Sequence, residues 1–124
     1  MYRSKFEEQV ANVLGKNATY ESEFISYTVP ERVSKYLPDF KTKTGVYLEA
    51  KGKWTSEDRK KHLLLKQQHP EKRIVLIFMN SRVKLNKRSK TSYGDWATKN
   101  NIEWYDFKSG IPPELYKKGS KNGD

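Results

Sequence analysis

A chain of 124 residues fits one domain, and its lack of cysteine excludes a disulfide scaffold, a thiolate zinc site and a cysteine nucleophile. The formal net charge of +10 makes a polyanion the natural partner. The 35% hydrophobic content makes a thin core, so the domain is either marginal alone or completed by a second copy, while 13% aromatic residues argue against disorder. The longest apolar run, residues 74–79, is too short to cross a membrane, and the N-terminus lacks an apolar signal core. The expectation is a cytoplasmic protein with no membrane contact.

In chain order, residues 4–14 read as a helix with Phe6, Val10, Ala11, Val13 and Leu14 near helical spacing. Ser4 and Glu7 have capping-box spacing, and Gly15 suits the stop. Residues 19–29, rich in β-branched and aromatic side chains, read as one strand closed by Pro30. Residues 30–38 are bracketed by prolines and read as a stiff, extended connector. Residues 39–42 and 46–52 read as a hairpin joined through Lys43-Thr44-Gly45. In its second strand Val46, Leu48 and Ala50 share one face, which packs. Tyr47, Glu49 and Lys51 share the other, expected to be open.

Thr55 or Ser56 caps a helix running to about His69, with Glu57 and Asp58 favouring its dipole and Pro70 beyond its end. Residues 73–80 form an apolar strand suited to the interior of a sheet, 81–90 a basic loop, 92–100 a short helix and 102–107 a last strand. One helical turn is expected over 112–116 and a frayed basic tail over 117–124. The predicted architecture is α/β, a mixed central sheet flanked by helices.

Asp39 follows Pro38, and Glu49 and Lys51 lie on one face of the next strand. Phosphodiester cleavage needs carboxylates to hold a hard cation against the phosphate and a positive charge near the transition state. Asp39 and Glu49 are hard oxygen donors suited to magnesium or manganese. One ion, or a pair about 4 Å apart, would polarise the phosphate and acidify a bound water. Lys51 would orient the nucleophile or offset developing charge. The plainer alternative is a surface hairpin with an ordinary Glu–Lys pair. Glu7 reads either as the capping partner of Ser4 or as a further ligand, and Glu21 either as an exposed strand residue or as an accessory acid.

Basic residues gather in Lys51, Lys53, Arg59, Lys60 and Lys61, in Arg82, Lys84, Lys87, Arg88 and Lys90, and in the tail. Arg32 and Lys35 lie in the connector, and His62 sits mid-helix within reach of a phosphate. No histidine pair has metal-ligand spacing, so zinc is not expected. No base-reading motif is present, so recognition of backbone shape is expected.

YLPDFKTKTGVYLEAKGKW, SEDRKKHLLLKQQHPEKRIVLIF, SRVKL and KTSYGDWATKNNIEW together resemble the endonuclease I of T-seven-like phages. That family comprises Holliday-junction resolvases of the PD-(D/E)XK nuclease superfamily. The resemblance implies a divalent-metal-dependent endonuclease acting on four-way junctions and other branched double-stranded DNA, with no small-molecule cofactor, in the host cytoplasm if phage-encoded. It places Asp39, Glu49 and Lys51 on the family's catalytic Asp, Glu and Lys, Glu7 on its helix-borne catalytic Glu, and Glu21 on a nearby acid. It implies an intertwined homodimer, with residues 1–29 exchanged across a bridge at 30–38, a catalytic core at 39–116, and Glu7 serving the partner's site. Other readings are a mismatch or restriction nuclease of the same superfamily, or a non-catalytic branched-DNA-binding protein.

Overall fold

The computed structural model describes residues 2–29 and 32–118, so most of the expected tail lies outside it. Helix α1 (Lys5–Leu14) begins as its sequence predicts, with the Ser4 hydroxyl accepting the Glu7 N–H at 3.1 Å. It ends at Gly15, whose φ of 58° is a left-handed conformation that costs glycine little. Phe6, Val10 and Leu14 form its buried stripe.

The single strand expected over residues 19–29 is two strands. β1 (Ala18–Tyr20) joins the main sheet, and β2 (Ile25–Val29) leaves it. The break falls at Glu21, whose φ of 45° lets the chain turn away. Its N–H donates to the Asp39 carbonyl at 2.7 Å, which fastens the break beside the start of β4 (Phe40–Thr42).

The connector is also more than a bare linker. Its residues form β3 (Arg32–Tyr36), antiparallel to β2, with Tyr36 opposite Ile25 and Arg32 opposite Val29. No proline interrupts this run, so its N–H groups are free to pair. The hairpin lies against α2 (Ser56–Gln68), whose Gln68 amide bonds the Thr28 backbone in both directions. Within one chain, residues up to 29 therefore pack on that chain's own core, and α1 shares a cluster with Leu48, Val75 and Ile77.

The main sheet has the order β1–β4–β5–β6–β7, where β5 is Tyr47–Lys51, β6 is Ile74–Phe78 and β7 is Trp104–Asp106. β4 runs antiparallel to both neighbours, while β5, β6 and β7 are parallel. α2 makes the crossover from β5 to β6, and α3 (Tyr93–Lys99) that from β6 to β7. The apolar β6 is interior, as expected. Strand alternation divides the core: Leu48, Ala50, Val75 and Ile77 pack with α1, and Leu76 and Phe78 pack with Trp54, Tyr93 and Ala97 on the other side.

The face of β5 carrying Tyr47 and Glu49 is not open. Tyr47 clusters with Leu65 of α2 and with Ile25 and Tyr36 of the hairpin, leaving Tyr47 5% and Glu49 7% exposed. Parallel strands joined by a crossover helix are covered on both faces, which the period-two pattern of β5 alone does not reveal. Among the described residues, no helix is long and apolar enough to cross a membrane.

Candidate active site

Three carboxylates from separate parts of the chain meet in the interior. Asp39 stands just before β4, Glu49 lies on β5 and Glu7 comes from the first turn of α1. Their exposures are 5%, 7% and 8%. Each is held by a donor. Asp39 Oδ2 accepts the Ala50 N–H at 2.9 Å. Glu49 Oε1 accepts the Tyr36 hydroxyl at 2.7 Å and, more weakly, the Asp39 N–H at 3.4 Å. Glu7 Oε1 accepts the Tyr20 hydroxyl and the Arg3 N–H, both at 2.8 Å. Lys51 Nζ lies 3.9 Å from Glu49 Oε2 and 3.3 Å from Asp58 Oδ2.

These carboxylates are crowded and short of positive charge. Burial first, then the charge of Glu49 and the charge and hydrogen bond of Glu7, push the Asp39 carboxyl up to about 8. Burial also raises Glu49, outweighing the Tyr36 hydroxyl and the ammonium groups of Lys51 and Lys61. Burial and then the neighbouring carboxylates push the Tyr36 phenol up, so it remains a donor. A cluster of buried carboxylates that resists ionising in this way marks a candidate functional site.

The donors fit a hard divalent ion. Among the described residues, no group of three or more acidic, imidazole or thiol side chains is arranged to hold a metal ion. Magnesium commonly takes only one or two carboxylates and completes its shell with water and phosphate oxygens, so an open set built on Asp39 and Glu49 suits it.

Glu21 adjoins the cluster through its backbone bond to Asp39, but its carboxylate is paired with Arg3 at 3.0 Å. The expectation that His62 reaches a phosphate is overturned. His62 is 3% exposed, edge-on to Tyr36 and beside Trp54, because the β2–β3 hairpin covers that side of α2. Burial depresses its imidazole to about 3. Arg59 is partly committed, donating to the Trp54 carbonyl at 2.8 Å and lying 5.8 Å over the Trp96 ring.

The other basic side chains are better placed. Arg32, Lys60 and Lys61 line a cleft of about 850 Å³ between the hairpin and α2, with Asp58 on the same wall. Lys53, Arg82, Lys84, Lys87, Arg88 and Lys90 are exposed, as is Lys35, which lies over Phe24. The loop at 81–90 follows β6, where the Met79 N–H donates to the Lys51 carbonyl at 2.9 Å. Both basic segments thus leave the carboxyl ends of parallel strands, the edge where α/β sheets place their ligands.

Composition and spacing do not identify Tyr20, Tyr36 and Asp58 as neighbours of the site. The capping-box spacing of Thr55 and Asp58 was the one local signal, and it points only to the helix start.

The family model for phage endonuclease I matches residues 1–122. The chain is 46% identical over 108 residues to Endodeoxyribonuclease 1 of Enterobacteria phage T3, an alignment spanning 85% of this chain and 71% of that protein. It is 42% identical over 123 residues to Endonuclease I of Escherichia phage T7, spanning 97% of this chain and 81% of that protein.

Proposed function

The chain belongs to the phage endonuclease I family, and from that premise we propose that it is a divalent-metal-dependent endodeoxyribonuclease that resolves four-way DNA junctions. It would also cut other branched DNA, by paired hydrolytic nicks on a PD-(D/E)XK core. The observation that carries the reading is the buried convergence of Asp39, Glu49 and Glu7 beside Lys51. Burying like charges together is costly and serves no packing purpose, so the cluster points to function.

Asp39 and Glu49 would hold magnesium or manganese, one or two ions, with Glu7 as a further oxygen donor. Such an ion, when bound, polarises the scissile phosphate and acidifies a water. The chain's own groups do the rest. The Ala50 N–H and the Tyr36 and Tyr20 hydroxyls fix the aim of the three carboxylates. Lys51, at the rim of the cluster, supplies positive charge where the phosphate becomes more negative. Arg32, Lys60 and Lys61 in the cleft, and the exposed bases at 81–90, neutralise flanking phosphates without reading bases.

The proposal includes a homodimer that exchanges residues 1–29 across 30–38. In a single chain Glu7 already acts on its own Asp39. Exchange would replace each such contact by the identical one in trans, a low-cost route to a dimer. Two sites in one fixed dimer would nick two opposed strands in one encounter.

The test is cleavage of a labelled four-way junction beside a matched linear duplex, with and without magnesium. The expected result is magnesium-dependent paired nicks on the junction. Tight junction binding with no cleavage in magnesium or manganese would overturn the enzymatic reading in favour of a branched-DNA-binding protein.

A further inference from the structure

We propose that Asp58 is a positioning residue for Lys51, which makes the first turn of α2 part of the cutting apparatus. The inference rests on the reading that Lys51 acts at the phosphate. Lys51 Nζ lies 3.3 Å from Asp58 Oδ2 and only 3.9 Å from Glu49 Oε2, so its closer acidic partner is on the helix. One oxygen of Glu49 is already taken by the Tyr36 hydroxyl and the Asp39 N–H.

Asp58 is itself pinned. Its Oδ2 accepts the Thr55 N–H at 3.0 Å, and its own N–H donates to the Thr55 hydroxyl at 3.1 Å, a complete capping box. The same carboxylate oxygen therefore closes the helix and holds the ammonium. Lys61 flanks it at 3.8 Å from Oδ1. Asp58 and Lys51 side chains are each 18% exposed, so solvent screens the pair less than it would a surface pair. Its partial burial opposes ionisation, but the Thr55 N–H and the Lys51 charge hold the Asp58 carboxyl below the usual carboxylate range.

The consequence concerns the cluster. A lysine side chain is long and flexible, and an ammonium without Asp58 would settle on the nearest carboxylate. That carboxylate is Glu49, a proposed cation ligand. Asp58 draws Lys51 toward the rim, which leaves Glu49 Oε2 open and points the ammonium to where a phosphate would lie.

The experiment compares Asp58→Asn with Thr55→Ala in the full chain. Asparagine keeps an oxygen for the Thr55 N–H but loses the charge. Thr55→Ala loses the capping hydroxyl but keeps the ion pair. Asp58→Gln, which also suits the third position of a capping box, serves if Asp58→Asn does not fold.

Single-turnover cleavage of a four-way junction at saturating protein, metal-free junction affinity and the thermal midpoint are read for each. The expected result is that Asp58→Asn or Asp58→Gln slows cleavage about tenfold or more while junction affinity does not fall and the chain stays folded at the assay temperature. Thr55→Ala, which keeps the ion pair, should lower the midpoint and slow cleavage far less than the charge-neutral variants do. The proposal fails if the charge-neutral variants cut within about twofold of wild type, a change too small for a lost positioning charge. It also fails if Thr55→Ala slows cleavage as much as they do. A wild-type chain that does not cut overturns the nuclease reading together with this one, whereas an active wild type with an equally active Asp58→Asn overturns this one alone.

Discussion

The Tyr36 hydroxyl donates to Glu49 Oε1 at 2.7 Å, tying the connector strand β3 to the carboxylate on β5. The bond is buried, and it joins an element that composition reads as a spacer to the centre of the site. Tyr36→Phe removes one oxygen and little else. A buried carboxylate deprived of a donor costs about 1–3 kcal/mol, so Tyr36→Phe is expected to lower the denaturant midpoint accordingly. Cleavage of a junction should fall about tenfold to a hundredfold, the range for partners that orient metal ligands. Unchanged stability in urea titrations would show that the bond does not form in solution.

Asp39 makes a prediction of the opposite sign. Its carboxyl is raised to about 8 in the fold, from burial first and the neighbouring carboxylates second, against an ordinary value of 3.8. A raised group lends stability that is fully present below the unfolded value and is lost as pH rises through the folded one. The chelated protein is therefore expected to lose stability from this group between about pH 4 and pH 8. Asp39→Asn should flatten that loss and raise the thermal midpoint at pH 8, while cutting falls on the order of a thousandfold. Scanning fluorimetry in chelator at several pH values checks the first part, and a junction assay the second.

If the cluster takes a cation, magnesium or manganese should raise the wild-type midpoint most at alkaline pH, where the carboxylates are ionised. The rise should vanish in Asp39→Asn. A midpoint unmoved by either metal at pH 8 would speak against the cluster as a cation site.

His62 sets an acid limit. Its imidazole, depressed to about 3 by burial, stays neutral in the fold while the unfolded chain protonates near 6.5. Stability is therefore expected to fall as pH drops from about 6.5 toward 3. Its Nε2 is buried without a partner among the described residues, so His62→Phe leaves no bond unmade there. That variant should flatten the acid limb. Asp39 pulls the other way over the same range, so the two single variants separate effects that overlap in the wild type.

Binding to junction DNA should be dominated by phosphate contacts. A dimer touching about ten phosphates predicts a log–log slope of affinity against salt near about −9. Alanine at Arg32 or Lys60, both lining the cleft beside α2, should each remove one phosphate contact per protomer and so reduce the dimer's slope by about two without altering which DNA is preferred. A shallow slope in the parent protein would count against backbone-dominated binding.

Several features were legible in the chain itself because they depend on neighbours in sequence. The Ser4 cap and Gly15 stop of α1, the apolar interior strand β6 and the order of helices and strands after residue 39 all follow from local periodicity and end signals. Glu49 and Lys51 share a face because side chains on a strand alternate, so their juxtaposition needed no tertiary information. Glu7 was ambiguous by local reading, since the Ser4 cap explains it. Only the resemblance to a nuclease family gave it a place near Asp39.

What the tertiary structure decided concerns contacts between distant parts of the chain. Strand pairing put the break at Glu21 and turned the connector into β3, because unsatisfied N–H and C=O groups find partners wherever the chain can reach them. Covering by the hairpin and α2 buried Glu49 and hid His62, which local polarity placed on the surface. Tyr20, Tyr36 and Asp58 acquired their partners in the same way, with Tyr36 an ordinary residue until the fold brought it to Glu49. Residue types and spacing pointed to the chemistry proposed for this chain. Burial and long-range hydrogen bonding, which no local pattern encodes, decided which groups are charged, which are held and which can meet a phosphate.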